Sequence, residues 1–248
     1  MRPKHGEDPR RDFEARLISP IRTAIHAAMP VLVKICGVNC VDAADAVLRA
    51  GADFAGLVFH PSSPRNLSPG EAAALAQRMR GRARIVAVVA DAPDDLIAAA
   101  VSAARPDFLQ CHGRETPERA VALRALFGVG IVKAIGVSNA SDLDMATRFE
   151  QAADMLLFDA KAPFGSAQPG GLGAAFDWRL LHARKFSRPW LLSGGLDAGN
   201  VAEAMASANA PGVDVSSGVE RAPGMKSPEL IADFVRAARA ASLAEAKW

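Results

Sequence analysis

The chain has 248 residues, 50% of them hydrophobic and 23% charged, with a formal net charge of +2. That is apolar material for one sizeable core, and the balanced charge gives no basis for nucleic acid or an anionic membrane as the main partner. Three cysteines without paired spacing make neither a disulfide framework nor a zinc site and imply a reducing, cytoplasmic setting; no apolar run approaches the roughly 18 residues that span a bilayer.

Residues 1–29 read as an extension to a barrel domain over 30–248. From Met1 to about Ser19, Arg2, Lys4, Arg10 and Arg11 are interspersed with Glu7, Asp8, Asp12 and Glu14. The segment lacks the apolar stretch of a secretory signal and is too acidic for a transit peptide. It is expected to be solvated and partly disordered, with a short helix over Ile21 to Ala28.

The first strand is expected in Val31-Leu32-Val33-Lys34-Ile35, running into Cys36 and Gly37. A short aliphatic run of this kind fits a strand buried on both faces, and the glycine lets the chain turn. Asn39 is placed to cap the next helix, whose apolar positions Val41, Ala44, Val47 and Leu48 share a face, with Cys40 in the first turn as a small packing residue. Asp53 to Phe59 reads as the second strand, followed by the turn-rich loop His60-Pro61-Ser62-Ser63-Pro64-Arg65. Ser68-Pro69-Gly70-Glu71 then carries a hydroxyl cap and a proline at the first helical position.

Further strands are expected at Ile85–Val89, Asp107–Gln110, Ile131–Ile135, Met155–Asp159, Trp190–Ser193 and Gly212–Ser216. Between them lie alanine-rich, helix-period segments such as Asp94 to Ala104, Pro117 to Leu126 and Asn200 to Ala208. Eight strands alternating with helices imply parallel pairing through right-handed crossovers, closing into a single (β/α)8 TIM barrel. An open doubly wound sheet is the alternative, but no glycine fingerprint for a nucleotide follows the first strand.

In such a barrel the site is built from residues that follow the strands at one face. Those ends supply Cys36, Arg65, Gln110, His112, Asp159, Gly194 with Gly195, and Asp214 with Ser216 and Ser217. The set contains no metal-ligand spacing, so no metal is called for. Small-residue loops after strands seven and eight are where barrels commonly hold a phosphate on backbone N–H groups. Cys36 and Asp159 come from strands on opposite sides of the mouth and are suited to acid–base proton transfer. A thiol acting as base needs a positive field. Strand alternation puts Lys34 on the same side as Cys36, about 7 Å away along the strand. Arg65 is suited to gripping a carboxylate, and Gln110 and His112 would line the mouth.

Val33-Lys34-Ile35-Cys36-Gly37 with Asp42-Ala43-Ala44 resembles the opening of the phosphoribosylanthranilate isomerase family. The likeness runs on through Phe59 to Ser68, Leu109-Gln110-Cys111-His112-Gly113 and Leu156 to Asp159. It continues in Gly170-Gly171-Leu172-Gly173, Phe176-Asp177-Trp178, Ser193 to Leu196 and Asp214 to Glu220. This resemblance implies a cofactor-free Amadori rearrangement of a small phosphosugar in tryptophan biosynthesis. N-(5-phosphoribosyl)anthranilate would become 1-(2-carboxyphenylamino)-1-deoxyribulose 5-phosphate. It further implies Asp159 as general acid, Cys36 as general base, Arg65 on the anthranilate carboxylate, and the loops at Gly194-Gly195 and Ser216-Ser217 on the phosphate.

Departures from the usual pattern are Cys111 for a leucine, Leu172 for a threonine, and Ala160 where a small hydroxyl residue follows the acid. A loop over the site is expected at Ala167 to Gly173, and the size suggests a monomer. The related sugar-phosphate isomerase of histidine biosynthesis is disfavoured, because it carries an Asp at the first strand end. A non-catalytic phosphosugar-binding barrel would be expected to lack Cys36 or Asp159.

Overall fold

A computed structural model describes residues 31–161 and 175–245. The extension over 1–29 and the loop expected at Ala167 to Gly173 therefore lie outside the described residues. Eight parallel strands close in sequence order: β1 Leu32–Cys36, β2 Phe54–Val58, β3 Arg84–Val89, β4 Phe108–Cys111, β5 Gly130–Val137, β6 Met155–Ala160, β7 Trp190–Leu192 and β8 Gly212–Val215, with β8 pairing back onto β1. The outer ring holds α1 Val41–Ala50, α2 Pro69–Met79, α3 Asp94–Ala104, α4 Pro117–Phe127, α5 Asp144–Phe149, α6 Arg179–His182, α7 Val201–Ala208 and α8 Pro228–Glu245. The expected TIM barrel is the observed one.

Strand alternation sorts the side chains into two cores. Outward-facing residues such as Val33, Ile35, Ala55, Leu57, Ile85 and Leu156 pack under the helices in one continuous layer. Inward-facing Phe54, Val86, Phe108, Val132, Met155 and Leu157 fill the barrel together with Cys36. Phe54 and Phe108 meet edge to face with ring centroids 6.0 Å apart, and the Arg84 guanidinium covers Phe54 from below.

One device recurs at the foot of the barrel. The aspartate immediately before each of β2, β4 and β6 accepts the N–H of the second residue in the strand preceding it. Val33 donates to Asp53 Oδ2 at 2.7 Å, Ile85 to Asp107 Oδ2 at 2.7 Å and Ile131 to Asp154 Oδ2 at 2.8 Å. Each bond satisfies a backbone donor at a strand start, where a bare N–H would cost about 1–3 kcal/mol.

α2 begins as the sequence suggests, with a capping box between Ser68 and Glu71 and Pro69 in the first turn. α1 does not. Its N-cap is Cys40, which is exposed and makes no side-chain cap bond, while Asn39 Nδ2 donates to the Gly224 carbonyl at 2.8 Å. The helix starts one residue later than the cap reading placed it, and the Asn39 side chain is held by a long-range contact through its Nδ2 instead. That contact anchors an unforeseen hairpin, β9 Glu220–Ala222 and β10 Met225–Lys226, which folds over the mouth beyond β8.

Candidate active site

Gly37 ends β1 at φ +78°, a left-handed turn that a side chain would strain, and the Arg65 side chain crosses directly over it. A Cβ at position 37 would lie 2.4 Å from Arg65 Cδ, so the same glycine serves the turn and the close approach. Cys36, just before it, faces inward and is 8% exposed. Gly56 on β2 leaves room beside the thiol, since a Cβ there would sit 3.0 Å from Sγ.

Below Cys36 on β1, Lys34 is fully enclosed in the barrel, and its ammonium donates to Asp214 Oδ1 at 2.8 Å. The two are register partners across the β1–β8 seam. The other Asp214 oxygen accepts from Ser193 Oγ at 3.2 Å. Burial pulls the Lys34 ammonium down, but Asp214 and Cys36 more than offset it and hold its pKa above the ordinary value. Burial pushes the Cys36 thiol up; Lys34 and Lys226 pull against that and Asp214 adds to it, leaving the thiol above its ordinary value.

The hairpin supplies two groups that strand-end reasoning passed over. Glu220 accepts from Arg65 Nε at 2.7 Å and Nη2 at 2.8 Å, and from Lys226 Nζ at 2.7 Å. Lys226 also donates to the Ser216 carbonyl at 2.9 Å. Burial raises the Glu220 carboxyl, but the Arg65 bonds and the Lys226 charge win and hold it below the usual range. Burial dominates at Lys226 and lowers its ammonium despite Glu220. A two-residue strand closing on a Pro223-Gly224 turn was the available signal.

Across the mouth, Asp159 lies at the end of β6 and is 7% exposed. Its Oδ1 accepts the Ala160 N–H at 2.8 Å. Its Oδ2 is 3.3 Å from His112 Nε2, and His112 Nδ1 is 2.8 Å from Gln110 Nε2. With the amide assigned in this orientation, Nδ1 accepts and Nε2 bears the hydrogen facing Asp159. Gln110 and His112 thus form a chain behind the carboxylate, with Gln110 fully buried and its Oε1 lacking a partner among the described residues. Cys111, pointing the other way into the helix layer, has its thiol pushed up to about 12 by burial.

Gly194 and Gly195, with φ +91° and +65°, turn the chain beside Asp159; a Cβ on Gly194 would lie 2.7 Å from the Ala160 nitrogen. Among the described residues neither glycine's N–H donates within the protein's loop hydrogen bonds. Ser216 Oγ donates to the Cys36 carbonyl at 3.2 Å, and Ser217 opens a single 3₁₀ turn. Asp214, expected among the substrate-binding residues, is 4% exposed beneath the mouth, with both oxygens already engaged.

A thiol, a carboxyl, an arginine and two small-residue loops at the C-terminal ends of the strands define a (β/α)8-barrel enzyme with its site at that face. The sequence profile described as N-(5'phosphoribosyl)anthranilate (PRA) isomerase matches residues 33–237. An N-(5'-phosphoribosyl)anthranilate isomerase of Rhodopseudomonas palustris is 50% identical over 213 residues, covering 86% of this chain and 100% of that relative. A structure of monomers generated from the dimeric isomerase of Thermotoga maritima superposes with TM-score 0.73 at 32% identity, covering 85% of this chain and 99% of the other. A phosphoribosyl anthranilate isomerase in complex with reduced 1-(o-carboxyphenylamino)-1-deoxyribulose 5-phosphate also gives 0.73, at 31% identity with the same coverages. The chain belongs to the N-(5'-phosphoribosyl)anthranilate isomerase family.

Proposed function

We propose that this chain isomerises N-(5'-phosphoribosyl)anthranilate with Asp159 as general acid and Cys36 as general base. The carrying observation is that both sit at the mouth, on β6 and β1, each buried but not sealed. Asp159 gives its proton to the furanose ring oxygen as the C1–O bond breaks, and the anthranilate nitrogen lone pair forms the C1=N bond of a cationic Schiff base. The Cys36 thiolate then takes the C2 proton. The C2–H electrons form the C1=C2 bond and neutralise the nitrogen, and the enolamine tautomerises to the ketone.

Arg65 keeps Nη1 for the anthranilate carboxylate, while Glu220 fixes its other edge and so orients the fork. The N–H groups of the Gly194-Gly195 turn and the Ser216-Ser217 loop receive the phosphate. Gln110 and His112 orient Asp159, and Asp214 serves Lys34. The reading keeps a barrel domain from residue 30 onward, a monomer and a cytoplasmic location; among the described residues no helix is long and apolar enough to cross a membrane.

The test is the loss of substrate fluorescence, with substrate generated in situ, for wild type, Cys36→Ser and Asp159→Asn. Wild type is expected to run well above buffer and each variant to fall about 10²–10⁴-fold while remaining folded. A wild type no faster than buffer would overturn the reading, and activity surviving in one variant would remove that residue from its role.

A further inference from the structure

The base poses a problem that the acid does not. Cys36 is almost fully buried, and a thiolate in such surroundings is costly unless a cation faces it. A lysine inside a barrel is costly for the same reason, yet Lys34 is among the largest fully buried side chains of the molecule. An apolar residue would fill that position, as Val86, Val132 and Leu157 do elsewhere in the barrel.

We infer that Lys34 is the counter-charge that lets Cys36 ionise within the barrel, and that Asp214, held by Ser193, sets how much of that charge the sulfur receives. The geometry is that of a shared cation. Lys34 and Cys36 are two residues apart on the inward face of β1, and Asp214 meets the ammonium at 2.8 Å from the neighbouring strand. The ammonium thus meets the Asp214 carboxylate while sharing the inward side of β1 with the sulfur, and its effect on the thiol is the largest of those opposing burial. The other charges on this side are Lys226 from β10, which also lowers the thiol, and Glu220 and Arg65, which bind each other and Lys226 or cross Gly37. Asp159 stands on β6 across the mouth. Lys34 is therefore a positioning residue acting through Cys36, and it does not touch the substrate.

This inference rests on Cys36 being the base, but its test reads the sulfur itself. The rate of Cys36 carboxamidomethylation by iodoacetamide is measured against pH, with the modified peptide followed by mass spectrometry so that Cys40 and Cys111 are separated. Lys34→Met should shift the midpoint upward by about one unit, slowing alkylation roughly tenfold below the midpoint. Asp214→Asn should shift it downward. Because Lys34→Met strands a buried carboxylate, the double variant Lys34→Met/Asp214→Asn removes both charges at once. It should fold and fall between wild type and Lys34→Met.

That ordering supports the inference. A midpoint that stays at the wild-type value in folded Lys34→Met, or in the double variant where the single does not fold, overturns it. The inference can fail while Cys36→Ser still abolishes isomerisation. Equally, Cys36 can lose its catalytic role while the thiol still answers to Lys34.

Discussion

Asp154 at the foot of the barrel and Asp159 at its mouth belong to the same strand segment, five positions apart, yet are surrounded very differently. Asp154 Oδ2 accepts the Ile131 N–H and two bonds from Arg124, at 2.8 and 3.2 Å. It repeats an arrangement that Asp53 and Asp107 make at two other strands. Asp159 has a backbone N–H, a histidine at 3.3 Å, and no lysine or arginine paired to it among the described residues. A carboxylate locked by a guanidinium and a backbone donor holds strands in register. One that faces a histidine and lies beside the open mouth, with no cation paired to it among the described residues, is left accessible to whatever binds there. The contrast is one of partners, since the side chain is the same.

Substitutions should separate the two ends. The largest effect belongs to the mouth: the 10²–10⁴-fold loss expected in Asp159→Asn should come with a thermal transition within about 1 kcal/mol of wild type. Calorimetry beside the fluorescence assay checks both, and a parallel collapse of stability would erase the distinction. Glu220→Ala should blur it in a defined way. Arg65 and Lys226 would be left buried without their shared carboxylate, destabilising the fold by about 3–5 kcal/mol in denaturant titrations and raising KM as the Arg65 fork loses its orientation.

At the foot, Asp154→Ala should cost about 1–3 kcal/mol in the same titrations with kcat unchanged. A large kcat loss there would mean that the two ends are coupled. The smallest effect is expected behind the acid: His112→Leu should lower kcat by roughly tenfold, the worth of one hydrogen bond to a charged group, with little change in KM.

Eight aliphatic runs alternating with alanine-rich helical segments made the barrel legible, because each strand carries its own signal in consecutive residues. The strand-end rule then picked out Cys36 and Asp159. What it missed depends on contacts made only when the barrel closes. Lys34 and Asp214 are 180 residues apart and become partners through the β1–β8 seam, so no local pattern marks either as half of an ion pair. Asn39 carried a sound local capping signal, but the helix starts a residue later and its side chain meets the Gly224 carbonyl 185 residues away. Glu220 and Lys226 sit in a hairpin whose second strand has two residues, too short to read as alternation. Asp214, Gln110 and His112 come to the mouth by their positions in sequence, and only side-chain geometry shows that Asp214 meets Lys34 and Ser193 and that Gln110 and His112 line up behind Asp159.

The division of labour between Cys36 and Asp159 is tested most directly by substrate deuterated at C2 of the ribose. In Cys36→Ser, removal of the C2 proton becomes the slow step, and a clear primary isotope effect on kcat is predicted. In Asp159→Asn, ring opening becomes the slow step, and the effect should vanish. An isotope effect in Asp159→Asn with none in Cys36→Ser would contradict the account and exchange the two roles.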